Sequence, residues 1–263
     1  RHVVVSDKAE IGLFVDNTDS ISAESVRGAV EGALRSIREE YVPIREKGNA
    51  AYLRGIDLYG RVDYDQSLIP GVIIMAIFLS TMTTGVFNLV MDRFMGTDES
   101  YLLTPVTKSD IVTGLIISGL FITTILAMLV FGLSILVTGA SFSGGLEQYL
   151  SIFLVIVLTS AGLLGMMFIL LGRANHPRIV GVFSGFLNVI FYFPSGAIYP
   201  IASFPGWLKA FAKVNPETYA VDALKSLIFK NVGISAISGD IAFLAIFAAI
   251  TMTMAIATFK RTL

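Results

Sequence analysis

The stretch QSLIPGVIIMAIFLSTMTTGVFNLVM, Gln66 to Met91, runs for 26 residues without a charged side chain. A helix crossing the hydrocarbon core of a bilayer needs about 20 apolar residues. One Asp, Lys or Arg at its centre costs roughly 2.5–3.5 kcal/mol on insertion scales, so an uncharged window of this length reads as a membrane span. Four more such windows follow, from Ile111 to about Thr138, Gln148 to Gly172, Ile179 to about Tyr199, and Ile241 to Phe259. The expected fold is therefore an all-α polytopic membrane protein with five spans.

Composition agrees with that reading. The chain is 54% hydrophobic and only 15% charged, where a soluble domain carries about 25% charged residues; its mean hydropathy is +0.75. Twelve of the 20 acidic residues and nine of the 19 basic ones precede Ser67, so a polar head precedes a membrane body. A net charge of −1 lacks the basic footprint by which proteins neutralise nucleic-acid phosphates, and nucleic acid is excluded as a partner. With no cysteine there is no disulfide or thiolate chemistry to consider.

The polar connections set the expected orientation. GASFSGGLEQ, Gly139 to Gln148, and GRANHPR, Gly172 to Arg178, read as loops rich in turn residues. Placing the connection Asp92 to Asp110 in the cytoplasm puts Arg93, Lys108, Arg173, Arg178, Lys260 and Arg261 inside, as the positive-inside rule requires. Lys209, Lys213, Lys225 and Lys230 then fall outside and weigh against it. The C-terminus is cytoplasmic on this reading, residues 1–67 are external, and a sixth, N-terminal span is expected upstream to deliver them. Within the spans, Asn88 and Asn188 are candidates for interhelical hydrogen bonds, while Gly181, Ser184 and Gly185 read as sites of close packing.

Residues 1–67 read as a small α/β region. HVVVS and EIGLFVDN are β-rich, and the following segment places Val26, Ala29, Val30, Ala33, Leu34, Ile37 and Tyr41 at helical spacing. Ser22 is the expected N-cap, with Glu24 in the first turn.

The connection DRFMGTDESYLLTPVTKSD, Asp92 to Asp110, is too long and too highly charged for a simple turn between spans. Its segment Gly96 to Leu103 has the composition of a short surface helix, which Pro105 would end. The plain alternative is a solvated loop. This stretch resembles the connection after the second span of ABC-2 type transporter permeases: Arg93, Gly96, Thr97, Glu99, Thr104 and Pro105 match the family pattern, whereas Asp92, Phe94 and Tyr101 depart from it. A second resemblance lies in YPIASFPGWLKAFAKVNPETYAVDALKSLIF, Tyr199 to Phe229, where Pro205, Trp207, Leu208, Asn215, Pro216, Asp222, Ala223 and Leu224 fit the outer segment between the last two spans. Lys225 stands there in place of Arg, keeping the charge without the planar fork. IGLFVDNTDS, in turn, resembles the start of the external region in the subgroup with a large first outer loop.

The resemblance implies a division into an external region, 1–67, and a transmembrane domain, 68–263. Its spans would run at about 68–91, 111–138, 148–172, 179–199 and 241–259, with outer re-entrant helices over 203–230. It also implies that Asp92, Arg93, Gly96, Thr97, Glu99, Thr104 and Pro105 form a coupling surface for a separate ABC ATPase subunit. That partner would carry ATP and Mg, with no cofactor bound by this chain. A second permease copy, identical or not, and membrane lipid complete the expected partners of an exporter in the cell membrane.

Other classes fit less well. No Gly-x-x-x-x-Gly-Lys-Ser/Thr run is present for a nucleotide site of the chain's own, and no His-Glu-x-x-His for an intramembrane metalloprotease. The histidines are His2 and His176 alone, and His176, beside Pro177, reads as a loop residue. An ion-driven carrier would place a carboxylate or histidine within a span, and the five windows contain none. An ATPase-independent pore or structural membrane subunit is the remaining alternative.

Overall fold

The computed structural model describes residues 10–15, 20–41, 52–57, 64–97, 108–140 and 144–260. The chain separates into two compact units, Arg1–Ser67 and Leu68–Leu263.

In the first unit, β1 (Glu10–Val15) and β2 (Tyr52–Asp57) pair in parallel, with Glu10 opposite Tyr52 and Val15 opposite Asp57. Parallel strands need a long crossover, and α1 (Ser20–Tyr41) supplies it. β1 coincides with the EIGLFVDN run, whereas HVVVS lies outside the described residues. The second strand, YLRGID, carries Arg54 and Gly55 and lacks the β-branched pattern that would announce it. The α1 N-terminus is corrected: the helix begins at Ser20, so Ser22 lies inside its first turn and is not the N-cap. Its apolar face is only partly covered, with Val30 and Leu34 half-buried and Val26 45% exposed. A two-stranded sheet is too narrow to shield a 22-residue helix. α2 (Tyr64–Ser67) ends the unit.

The second unit is a helical bundle. Among the described residues, five helical stretches are long and apolar enough to cross a membrane, the first beginning with α2: Tyr64–Phe94, Asp110–Thr138, Leu146–Leu171, Pro177–Ser195 and Ile234–Ala257. The first contains α3 (Ile69–Thr81), a wider π-helical turn over Met82–Phe87, and α4 (Asn88–Phe94). Such turns insert a residue into the helical ladder. Here the turn brings Gly85 against Leu164 and Phe168 of α6 (Leu146–Leu171), and Thr83 and Thr84 donate back to the Ser80 carbonyl. Ser80 and Thr84 share Thr123 of α5 (Lys108–Thr138) through hydroxyl contacts of 3.1 and 3.4 Å. These hydroxyls join the first two spans where no water competes.

α7 (Pro177–Tyr192) starts with Pro177 at its first position, and the His176 ring accepts from the Arg178 N–H at 3.2 Å. His176 is thus an N-cap. The fourth span ends earlier than its sequence window. After Tyr192 a single 3₁₀ turn, Phe193–Ser195, carries Pro194, and Gly196 takes a left-handed φ of 82°. Pro194 cannot continue the ladder and Gly196 reverses the chain, so the residues up to Tyr199 leave the helix.

Two short helices follow, α8 (Gly206–Ala212) and α9 (Pro216–Phe229), then a 3₁₀ turn over Ile234–Ile237 and α10 (Ser238–Lys260). The most extensive helix contact in the bundle is between α6 and α10. Gly162 and Gly165 let α6 and α10 pack closely, whereas a Cβ at Gly181 or Gly185 would meet nothing within 4 Å. Ser184 is buried and donates to the Val180 carbonyl of its own helix. Asn88 likewise bonds within its helix, to the Thr84 carbonyl at 3.2 Å.

Candidate functional site

Two sites at opposite ends of the bundle contain the residues singled out in the sequence. The first is the exit from the opening span. α4 stops at Phe94 through paired backbone bonds: the Thr97 N–H reaches the Asp92 carbonyl at 2.9 Å and the Gly96 N–H reaches the Arg93 carbonyl at 3.1 Å, with Gly96 at φ 71°. This pattern closes a helix around a left-handed glycine. Gly96 and Thr97 therefore form a helix stop rather than the start of a surface helix. Glu99, Thr104 and Pro105, with the rest of the segment to Leu103, lie outside the described residues.

Arg93 extends away from that stop. Its Nη1 donates to the Gly172 carbonyl at 2.7 Å, where α6 has just ended. Phe94 meets the His176 ring at 4.7 Å between centroids. The ends of the first and third spans and the start of the fourth are thus tied at one face. Gly172 leaves a helix-end carbonyl without an intrahelical partner, and a guanidinium is well suited to it.

The second site is built on α9. Asn215 caps this helix, its Oδ1 accepting the Glu217 N–H at 3.1 Å, with Pro216 at the first position. The same side chain donates through Nδ2 to the Phe191 carbonyl at 2.6 Å. Nearly three turns further along, the Lys225 Nζ donates to the Gly196 carbonyl at 2.9 Å. α9 therefore grips both sides of the break that ends the fourth span. Gly71 of the first span completes the junction, since a Cβ there would lie 3.0 Å from the Ala197 Cβ and 3.2 Å from the Tyr192 hydroxyl. Lys225 acts here as a single donor to a carbonyl, a task that does not need the fork of an arginine.

Pro205 precedes α8 as its N-cap residue, and Trp207 on that helix is 73% exposed. Tyr219 stacks on Phe243 of α10 at 3.8 Å and donates its hydroxyl to the Lys213 carbonyl at 2.7 Å. Much of Asp222 is exposed, yet burial of its carboxyl raises it to about 6; Lys225 pulls it down, Asp240 up, and Lys230 down.

Glu217 is the residue that the sequence did not reveal. It is fully buried, and neither carboxylate oxygen has a hydrogen-bond partner. Burial pushes its carboxyl up to about 8, as expected for an acid removed from water without a counter-ion. An acidic residue after Asn-Pro is ordinary helix-start chemistry, so the sequence carried no signal of its burial. Among the described residues no cluster of His, Cys, Asp and Glu is able to hold a metal ion.

The chain resembles known transport proteins over most of its length. The pattern of the ABC-2 type transporter family matches residues 48–229. The probable multidrug ABC transporter permease YbhR of Escherichia coli K12 is 23% identical over 254 residues, covering 96% of this chain and 68% of that protein. Its counterpart in Escherichia coli O157:H7 gives the same figures. No solved structure matches the chain. With the family pattern spanning more than half of a five-span bundle, the chain belongs to the ABC-2 type transporter family and is a membrane subunit of a transporter.

Proposed function

We propose that this chain is the permease of an ATP-driven exporter that works with a separate ABC ATPase subunit docked on the connection Asp92 to Asp110. The observation that carries this reading is the Arg93 bond to the Gly172 carbonyl, at 2.7 Å. Force applied at the docking connection passes through it to the third span as well as the first. Asp92, Arg93, Gly96 and Thr97 form the near edge of the docking surface, with Glu99, Thr104 and Pro105 beyond them. This connection and the C-terminus face the cytoplasm, and residues 1–67 face outward, in keeping with the excess of Lys and Arg on one side.

A second permease copy completes the pathway, and the ATPase pair holds ATP and Mg. α8 and α9 form re-entrant helices at the outer face, where Asn215 and Lys225 latch the end of the fourth span closed. An apolar pathway with serine and threonine hydroxyls suits an amphipathic substrate, and the description of YbhR as a probable multidrug permease supports that class.

Purification of the full-length protein from native membranes tests the proposal. A stoichiometric nucleotide-binding subunit with ATPase activity is expected. Arg93→Ala is expected to lower substrate-stimulated ATP hydrolysis per bound subunit by roughly tenfold, the effect of losing one charge-assisted bond of about 1.5 kcal/mol. Recovery of the chain without any ATPase would favour the pore reading, and unchanged coupling in Arg93→Ala would remove the mechanical role of Arg93.

A further inference from the structure

A cavity of about 350 Å³ opens between α8 and α9, lined by Lys209, Lys213, Thr218, Tyr219, Asp222 and Ile201 among others. Its charges are not matched to each other. Among the described residues, Lys209, Lys213 and Asp222 form no ion pair, and the charges that act on Asp222 are those of Lys225, Asp240 and Lys230, not of the two cavity lysines. Two lysines and one aspartate thus line one recess without an ion pair among them. Such an arrangement complements a ligand with a separated negative and positive group.

The surroundings narrow the ligand further. The Tyr219 wall is held by its stacking on Phe243 at 3.8 Å and its bond to the Lys213 carbonyl at 2.7 Å. Ile201, Ala202 and Ala212 give the recess an apolar side. Trp207 and Val214, on and just after the same short helix, are 73% and 67% exposed, as side chains at the level of a membrane interface are. Lysines there keep their stems on apolar surface and their heads in the polar layer.

We propose that this cavity binds the headgroup of an ethanolamine phospholipid, with the phosphate between Lys209 and Lys213 and the ammonium on Asp222. A primary ammonium donates charge-assisted hydrogen bonds to a carboxylate, which a trimethylated choline cannot. A headgroup with net negative charge would satisfy the lysines but set Asp222 against it. The site does not depend on ATPase coupling, so the assay below needs neither nucleotide nor partner.

The test is lipid retention by the full-length protein, purified from mixed phosphatidylethanolamine, phosphatidylcholine and phosphatidylglycerol bilayers and weighed intact by mass spectrometry. Wild type is expected to keep phosphatidylethanolamine roughly tenfold over phosphatidylcholine, a ratio equivalent to about 1.4 kcal/mol. Lys209→Gln with Lys213→Gln should lower retention of both lipids. Asp222→Asn should abolish the preference for ethanolamine over choline while phosphate-dependent retention persists, a change of selectivity that misfolding would not produce. Equal retention of the two lipids by wild type, or an unchanged preference in Asp222→Asn, would overturn the assignment. Binding of soluble O-phosphoethanolamine without retained lipid would assign the recess to a free phosphate ester and overturn the lipid reading.

Discussion

Gly165→Ala is expected to destabilise the bundle more than the same change at Gly162, Gly181 or Gly185. A Cβ at Gly165 would lie 2.7 Å from the Thr251 carbonyl carbon and 2.8 Å from the Met252 nitrogen. Both are backbone atoms of α10, so relief requires the two helices to move apart. Separation would also stretch the bond from the Thr251 hydroxyl to the Gly162 carbonyl, now 3.1 Å. Overpacking of this kind costs about 1–3 kcal/mol, and here it falls on the largest helix interface. Gly162→Ala should be milder, because the atoms met at 2.5 and 2.7 Å belong to the Phe247 ring, which is able to turn aside. Gly181→Ala and Gly185→Ala serve as controls; each has open space and gains helix propensity. Thermal unfolding in detergent ranks the variants. Equal midpoints for Gly165→Ala and Gly181→Ala would refute the close α6–α10 approach.

Glu217→Gln is expected to remove most of the loss of stability that accompanies rising pH. The Glu217 carboxyl is raised from its ordinary 4.5 to about 8 in the folded protein. For an acid raised by folding, the folded state holds a proton that the unfolded state has released. Its stability contribution is therefore whole below about 4.5, falls as pH rises from there, and is lost by about 8. A tenfold change in proton affinity corresponds to roughly 1.4 kcal/mol, so a carboxyl raised this far is worth a few kcal/mol at the order-of-magnitude level. Other titratable groups on or against α9 are Tyr192, Glu147, Tyr149, Tyr219, Asp222, Lys225, Lys230 and Asp240. Burial is what raises the Glu217 carboxyl. Glutamine keeps the shape and cannot ionise. Wild type should lose thermal stability between about pH 5 and pH 8, while Glu217→Gln should keep only the smaller fall that Asp222 contributes up to about pH 6 and stay level above it; parallel slopes above pH 6 would show that Glu217 is not buried and uncharged in the folded state.

Much of the bundle was legible because the bilayer imposes a simple rule on sequence. Long uncharged windows mark spans whatever their helix propensity, and all five windows correspond to helical stretches. Boundaries followed local chemistry that a hydropathy window does not contain. The fourth span stops at Pro194 and Gly196, inside a window that hydropathy carries to Tyr199. Packing was misread for a related reason: Gly181 and Gly185 look like a contact stripe, yet a glycine approaches a neighbour only where another helix crosses it. That crossing occurs at Gly162 and Gly165. β2 was missed because Arg54 and Gly55 interrupt its pattern, although its partner strand and the crossover helix were visible.

The candidate site was legible in a different measure. Asn215, Pro216 and Lys225 were found through family resemblance, but the common task of Asn215 and Lys225, holding the carbonyls of Phe191 and Gly196, depends on a break that sequence alone did not locate. Arg93 was found as a docking residue, and its bond to Gly172 joins positions 79 residues apart. Glu217 was missed because its position justifies a carboxylate by helix-start chemistry, while its burial is a tertiary fact.

Docking of an ATPase on the connection after the first span is the central claim, and a single thiol tests it directly. Residues 1–263 contain no cysteine, so a thiol placed at the exposed Thr97 stands alone among them, with the unsubstituted protein as the control for background linking. Thr97→Cys, treated with a short thiol-to-amine crosslinker in native membranes, should link the chain to a nucleotide-binding subunit. Gly145→Cys, at the opposite end of the α6 span, should not, and adding Glu99→Arg should weaken the link. A Thr97→Cys chain that remains uncrosslinked to any ATPase, while Gly145→Cys links to one, would contradict the claim.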